Sequence, residues 1–156
     1  MAVCAACNAE VAPGSRWCSV CHTNVQDPEA GKLASPAKRL IAYILDLIIP
    51  VIAISMMVGM SEGSDFGAIF GTILFLAYIV GAIYLFLRGT TPGKRVMGMY
   101  VVKENGKRAG LLTMLLRETV GKWLSGLVMS LGWIWILIDK ENQGWHDKLA
   151  STYVVG

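Results

Sequence analysis

Apolar residues are gathered into long blocks in the middle of the chain, with mixed sequence on either side. The first block, Leu40 to Met60, runs for 21 residues and contains one charge, Asp46, and one proline, Pro50. As a helix it is long enough to cross about 30 Å of hydrocarbon. Ser35 is placed to cap this helix and Pro36 to open it, while Pro50 removes an internal hydrogen bond and predicts a kink. The second block, Phe66 to Leu87, has 22 residues and no charge, which makes it the clearest span. Gly67, Gly71 and Gly81 allow a neighbouring helix to approach closely. Between the two blocks lies a short acidic loop, Ser61 to Asp65. The third block, Trp123 to Ile138, is uncharged for only 16 residues. That is about 24 Å as a helix, short of a full span. Ser125-Gly126 interrupts it and Lys140 and Lys148 follow it, so a bent or re-entrant segment is expected.

Shorter patterns flank these blocks. Gly98 to Lys103 reads as a strand, and Glu104 to Lys107 as a turn around Asn105-Gly106. Leu111 to Val120 has an amphipathic helical pattern, and Thr152 to Val155 reads as a further strand. Met99–Val102 and Thr152–Val155 can pair only if both lie on one side of the membrane, so the C-terminus is expected beside the basic segment. The fold class that follows is an all-α membrane helical bundle of about three hydrophobic segments, the last spanning or re-entrant. Short cytoplasmic β-strands complete it.

Composition sharpens this picture. Hydrophobic residues make up 54% of the chain and charged residues 16%, against about 25% charged in a soluble domain. A purely soluble or disordered chain is thereby disfavoured. The net charge of +3 is small, and its placement says more than its size. Arg88, Lys94, Arg95, Lys103, Lys107, Arg108, Arg117 and Lys122 follow the second span, whereas the loop between the spans has no Lys or Arg. The positive-inside rule puts the basic segment and the N-terminus in the cytoplasm. These cations are expected to set topology and to meet lipid headgroups. They lack interleaved aromatics, so nucleic acid is not an expected partner.

All four cysteines lie in the first 21 residues, as Cys4-x2-Cys7 and Cys18-x2-Cys21. Each turn offers two sulfurs to one point, and Zn²⁺ favours four thiolates in a tetrahedron. Asn8 and His22, which follow the two pairs, are residues that tolerate positive φ. Structural disulfides in an exported tail, or a redox pair, are the competing readings. Glu10 and Arg16 interrupt any signal-like apolar run, and a redox motif would not be duplicated. Residues 1–25 therefore read as a zinc ribbon, too small to bury a core without its metal. Trp17 is expected to pack against the site. Residues 26–35 read as a linker, and residues 36–156 as the transmembrane domain.

Arg39 and Asp46 are seven apart and share a helix face, roughly 10.5 Å from each other. Arg39 is expected to reach the headgroups. Asp46 lies deeper, where an unpaired carboxylate is costly. It is expected to be buried and held by a cation of the basic segment, Arg117 or Lys122, rather than by Arg39. A titrating or cation-binding role for Asp46 is the alternative. The stretch from Gly89 to Arg95 reads as a turn with cations reaching for headgroups, without the spacing of a phosphate-binding loop. His146 and Asp147 read as a hydrogen-bonding pair. No serine or cysteine has a persuasive catalytic partner, so no enzyme is expected.

Three ordered stretches carry a family likeness: Arg39-Leu-Ile-Ala-Tyr-Ile-Leu-Asp46, Gly89-Thr-Thr-Pro-Gly-Lys-Arg-Val-Met-Gly98 and Gly144-Trp-His-Asp-Lys-Leu-Ala-Ser-Thr-Tyr-Val-Val155. With them the chain from about residue 36 to 155 resembles the RDD family of small bacterial membrane proteins. That family is named for one Arg and two Asp. Arg39 and Asp46 match the first two, and Asp147 is chosen as the third over its rival Asp139. Ser151 stands where members often have Gly. The N-terminal module is similar to the zinc ribbon that opens many bacterial membrane proteins. The resemblance implies an integral membrane protein, expected in the bacterial plasma membrane, with transport or ion exchange suggested for some members; it does not imply an enzyme. Two functions follow. In one, the bundle passes or exchanges a small ion or ligand at Asp46, which demands a homo-oligomer. In the other, it anchors a zinc ribbon that recruits a protein partner.

Overall fold

The computed structural model describes residues 2–121, 123, 131–139 and 141–156. It is mostly helical, with short strands gathered at one end of two long apolar helices.

Helix α1 (Pro36–Ser61) starts as its sequence dictates. The Ser35 side chain accepts from the Lys38 N–H, and Pro36 fills the first turn, where no N–H is needed. The helix continues through Pro50 to Ser61. Helix α2 (Asp65–Leu87) begins with Ser64 accepting from the Gly67 N–H and carries Asp65 in its first turn. The two helices are long and apolar enough to cross a membrane, and large apolar side chains such as Leu47, Val51, Ile73 and Val80 face outward. Gly71 lets α2 come close to α1, since a Cβ there would lie 3.2 Å from the Met57 carbonyl oxygen.

The remaining elements collect where α1 begins and α2 ends. Short helix α3 (Pro92–Val96) follows α2 directly, capped by Thr91. Strand β3 (Tyr100–Lys103) comes next; the numbering follows β1 (Ala2–Val3) and β2 (Glu10–Val11) in the ribbon. Helix α4 (Leu111–Leu115) runs into a π-helical turn, Leu116–Gly121, so the expected amphipathic helix is present with a widened second half. Helix α5 (Leu131–Ile138), helix α6 (Trp145–Leu149) and strand β4 (Thr152–Val155) complete the order. Ser125-Gly126 and Lys140, which bear on whether the last segment spans or re-enters, lie outside the described residues.

The two expected strands pair. β3 and β4 are antiparallel, with Tyr100 opposite Val155 and Lys103 opposite Thr152. Both sheet edges are covered. On the β4 side, the Ala34 N–H donates to the Val154 carbonyl at 2.9 Å and the Gly156 N–H to the Lys32 carbonyl at 3.0 Å. On the β3 side, the Val101 N–H donates to the Gly89 carbonyl at 2.7 Å. Gly89 is needed there: its φ is +72°, and a Cβ would fall 2.9 Å from the Ala109 oxygen. Residues 26–35 are thus more than a spacer. They form a 3₁₀ turn at Pro28–Ala30, then bury Leu33 and Ala34 against the sheet. The core beneath the spans joins Ala34, Ala42, Met99, Val101, Met114 and Val154.

Candidate functional site

Two constellations of side chains stand out, one in the ribbon and one where α1 meets the short C-terminal elements. In the ribbon, β1 and β2 pair and the two knuckles face each other. Each knuckle closes through a backbone bond from the residue after its second cysteine, Asn8 N–H to Cys4 O at 2.9 Å and His22 N–H to Cys18 O at 3.0 Å. Asn8 and His22 both take positive φ, at 56° and 57°. The sulfurs of Cys4 and Cys21 are 3.6 Å apart, as are those of Cys7 and Cys18, and all four lie within 4.8 Å of one another. Thiolates about 2.3 Å from a tetrahedral metal sit about 3.8 Å apart, so these four fit one ion. Backbone N–H groups of Cys21 and then Val20 hold the Cys18 thiol below its ordinary value, whereas Cys7, lowered by the Ala9 N–H, is pushed up to about 12 by the neighbouring thiols and burial.

Trp17 does not pack against the thiols. It turns to the other side, 5.2 Å from the Tyr153 ring, in a cluster with Leu33, Val102 and Val155. Arg16 beside it donates to the Tyr153 hydroxyl at 3.3 Å. The reason is size: Cys4, Val11 and Cys18 already fill the small ribbon core, and an indole buries far more surface against a sheet.

The second constellation centres on Asp147, which is completely buried. It sits in the first turn of α6, where its Oδ2 accepts from the Gly144 N–H at 3.1 Å. Arg39 Nη1 donates to the same oxygen at 2.7 Å. Arg117 addresses the other oxygen with Nε at 2.7 Å and Nη2 at 2.6 Å, a two-pronged contact. The network continues outward. Arg117 Nη1 pairs with Glu118, Lys94 Nζ meets Glu118 Oε1 at 2.9 Å, and Lys94 leans on the Thr91 hydroxyl. Thr91 in turn donates to Asp46 Oδ2 at 2.6 Å. Cations and anions alternate from Arg39 through Asp147, Arg117, Glu118 and Lys94 to Asp46, three of each sign. Burial by itself pushes the Asp147 carboxyl up, but Arg117, His146 and Arg39 outweigh it and hold it well below the usual carboxylate range. His146 Nε2 lies 3.6 Å from Asp147 Oδ2, with both residues buried.

Several expectations are corrected here. Arg39 does not reach for headgroups. It is 8% exposed, with one guanidinium nitrogen on Asp147 and another on the Val154 carbonyl. Lys94, placed by its motif at the headgroups, is equally buried and paired with Glu118. Asp46 is half-buried, and Arg117 does not bond it; Lys122 lies outside the described residues. The donors to Asp46 are neutral, the Thr91 hydroxyl and the Gly93 N–H, the latter at 2.7 Å. The sequence Thr91-Pro92-Gly93 explains this. Pro92 has no N–H, so Gly93 offers the first free one of α3, and without a Cβ it can lie against α1. A Cβ at Gly93 would be 2.2 Å from the Ala42 oxygen and 2.9 Å from Asp46 Cγ. Asp139 stands apart from the network; it accepts from the Glu141 and Gln143 N–H groups and pairs with Lys148. Between the two rival aspartates, Asp147 is the one joined to Arg39.

Glu118 and Thr91 are functional candidates that sequence reasoning missed. Thr91 had a signal, since Thr followed by Pro marks a helix start. Glu118 had none, because the π-helical turn that brings it to Lys94 follows no regular period. Arg39, Tyr43, Asp46, Lys94, Arg117 and His146 together line a cavity of about 20 Å³, room for about one water-sized occupant. Among the described residues, Arg39 Nε is buried without a hydrogen-bond partner.

Comparison with known proteins agrees with this picture. The sequence model described as RDD family matches residues 33–151, a range that begins after the thiol cluster. YckC, an uncharacterized protein of Bacillus subtilis (strain 168), is 32% identical over 121 residues, 74% of this chain and 80% of its own. YxaI, an uncharacterized protein of the same organism, is 33% identical over 69 residues, 42% of each chain. No solved structure matches.

Proposed function

This chain belongs to the RDD family and is a membrane protein with a four-cysteine module at its N-terminus, and from that premise we propose that it passes or exchanges a small ion or ligand across the bacterial plasma membrane. The observation that carries this reading is the small cavity between Arg39 and Asp46. It is set into the first span and lined by charged groups of both signs, among them Arg39, whose buried Nε has no hydrogen-bond partner among the described residues. The Asp46 carboxylate, half-buried at that cavity, takes its hydrogen bonds from a hydroxyl and a backbone N–H, a setting in which a visiting cation can bind it. The few spans of one chain enclose no aqueous path by themselves, so the working form is a homo-oligomer. The ribbon takes Zn²⁺, the ion best matched to four thiolates, and lies with the basic segment in the cytoplasm. No catalytic step is assigned.

The test is ion flux in proteoliposomes, comparing the intact chain with Asp46→Asn. Flux in the intact chain that the substitution abolishes supports the reading. Flux absent from both favours the second reading, a membrane anchor whose ribbon recruits a protein partner. The thiol cluster lies outside residues 33–151 that the family model matches, which favours a separate task for the ribbon.

A further inference from the structure

We propose that metal occupancy of the ribbon controls the ion-pair cluster around Asp147, transmitted through strand β4. The proposal rests on the reading of the four thiols as a metal site.

The connection is a short chain of contacts. Arg16 and Trp17 immediately precede Cys18, and Thr23 and Asn24 immediately follow Cys21 and His22, so the second knuckle fixes all four. Trp17 and Asn24 bridge each other, and Thr23 bridges Lys32. The Leu33 N–H donates to the His22 carbonyl at 2.9 Å, which joins the knuckle to the segment entering α1. That segment is in turn bonded to β4, through Ala34 N–H to Val154 O and Gly156 N–H to Lys32 O. Residues 32–34 therefore lie between the second knuckle and β4, bonded to both.

β4 has two faces, as the alternation of a strand requires. Tyr153 and Val155 join the cluster that holds Trp17 and Leu33, on the ribbon side. Val154 joins the core beneath the spans. Its carbonyl accepts from Arg39 Nη2 at 3.4 Å, and the Thr152 hydroxyl donates to the Asp147 carbonyl at 3.4 Å. One four-residue strand thus carries the ribbon on one face and both partners of the central ion pair on the other.

The ribbon has little else to hold it in shape, since its own buried cluster is Cys4, Val11 and Cys18. Without metal the knuckles lose their cross-link. Trp17 then leaves Tyr153, residues 32–34 loosen, and β4 no longer holds Arg39 and Asp147 in register. A ligand that binds only the ordered state shifts the population toward it, so metal favours the assembled cluster.

The experiment is hydrogen–deuterium exchange on the full chain in detergent, as purified, after chelation and after zinc is restored, with bound metal measured by elemental analysis. One metal per chain is expected. Chelation should speed exchange of the β4 amides about tenfold or more, and zinc should reverse it. In Trp17→Ala the metal stays bound, β4 already exchanges fast, and chelation adds little. Tyr153→Phe, which removes the bond from Arg16, gives the same change in smaller degree and serves if Trp17→Ala does not fold. If chelation frees only the amides of residues 4–21 and leaves β4 protected, the coupling is overturned while the metal site stands. Protein that carries no metal overturns both.

Discussion

Arg39 Nη1 donates to Asp147 Oδ2 at 2.7 Å across 108 residues of chain. The bond ties the first turns of α1 to the α6–β4 corner, and Arg117 makes it a three-residue unit by occupying the other oxygen. Arg39 is 8% exposed, Arg117 2% and Asp147 0%, so none of these charges has water to fall back on.

Removing one partner therefore strands the others. Arg39→Ala and Asp147→Ala should each cost about 3–5 kcal/mol of stability in detergent. The double substitution should cost less than the sum, because the second removes a charge the first had stranded. Denaturant unfolding of the four proteins measures the difference. Additive losses would show that the two residues do not act as a unit.

Acid should act through the same carboxylate. Asp147 binds its proton less readily folded than unfolded. Its stabilisation is complete above the ordinary carboxylate value of about 4 and falls away as pH drops below it. Asp139 shifts in the same direction, although it is more open to solvent. The melting temperature should be nearly flat from about pH 8 to 5 and fall below about pH 4. In Asp147→Asn the acid limb should be much shallower.

Gly93 carries a constraint that Asp46 does not. Gly93→Ala drives a methyl group toward the Ala42 oxygen, 2.2 Å away before relaxation. The α1–α3 contact must open, at a cost of about 1–3 kcal/mol or more. Asp46→Asn keeps a carbonyl oxygen for the Gly93 N–H and turns its NH2 toward the Thr91 hydroxyl, which can accept instead of donate, so it should be the milder change. Comparing folded yield and melting temperature of the two variants decides this.

Ser151 holds φ at 49°, the left-handed region that favours glycine. A Cβ in that region crowds the following carbonyl, so the serine is strained there. Ser151→Gly should stabilise the α6–β4 turn by about 1 kcal/mol, raising the melting temperature by a few degrees. A lower melting temperature would mean that the serine makes a compensating contact.

What the sequence showed and what it hid divide along the range of the interactions involved. Two helices able to span a membrane follow from unbroken apolar runs, and the clustered thiols from paired spacing; both are local patterns. The strands at Tyr100 and Thr152 were legible because each is a short run dominated by β-branched and aromatic residues. The partners of Arg39, Lys94 and Asp46 were not, because each depends on where a distant turn comes to rest. A deep carboxylate is expected to need a cation, but a threonine hydroxyl and one free backbone N–H supply the hydrogen bonds of Asp46. Proximity in sequence points Trp17 to the thiols, whereas the larger apolar surface lies across the sheet.

The separation of Arg39 from its partner also has a meaning in time. A ribosome adds about 5–20 residues each second, so Asp147 emerges roughly 5–20 s after Arg39. Both apolar helices are synthesised in that interval, and neither needs the cluster to enter the bilayer. Until Asp147 arrives, the Arg39 guanidinium waits at the membrane surface, where phosphates and water can hold it. Insertion and locking are therefore separate events in the life of each molecule, and a chain halted between them displays an arginine that the finished protein conceals.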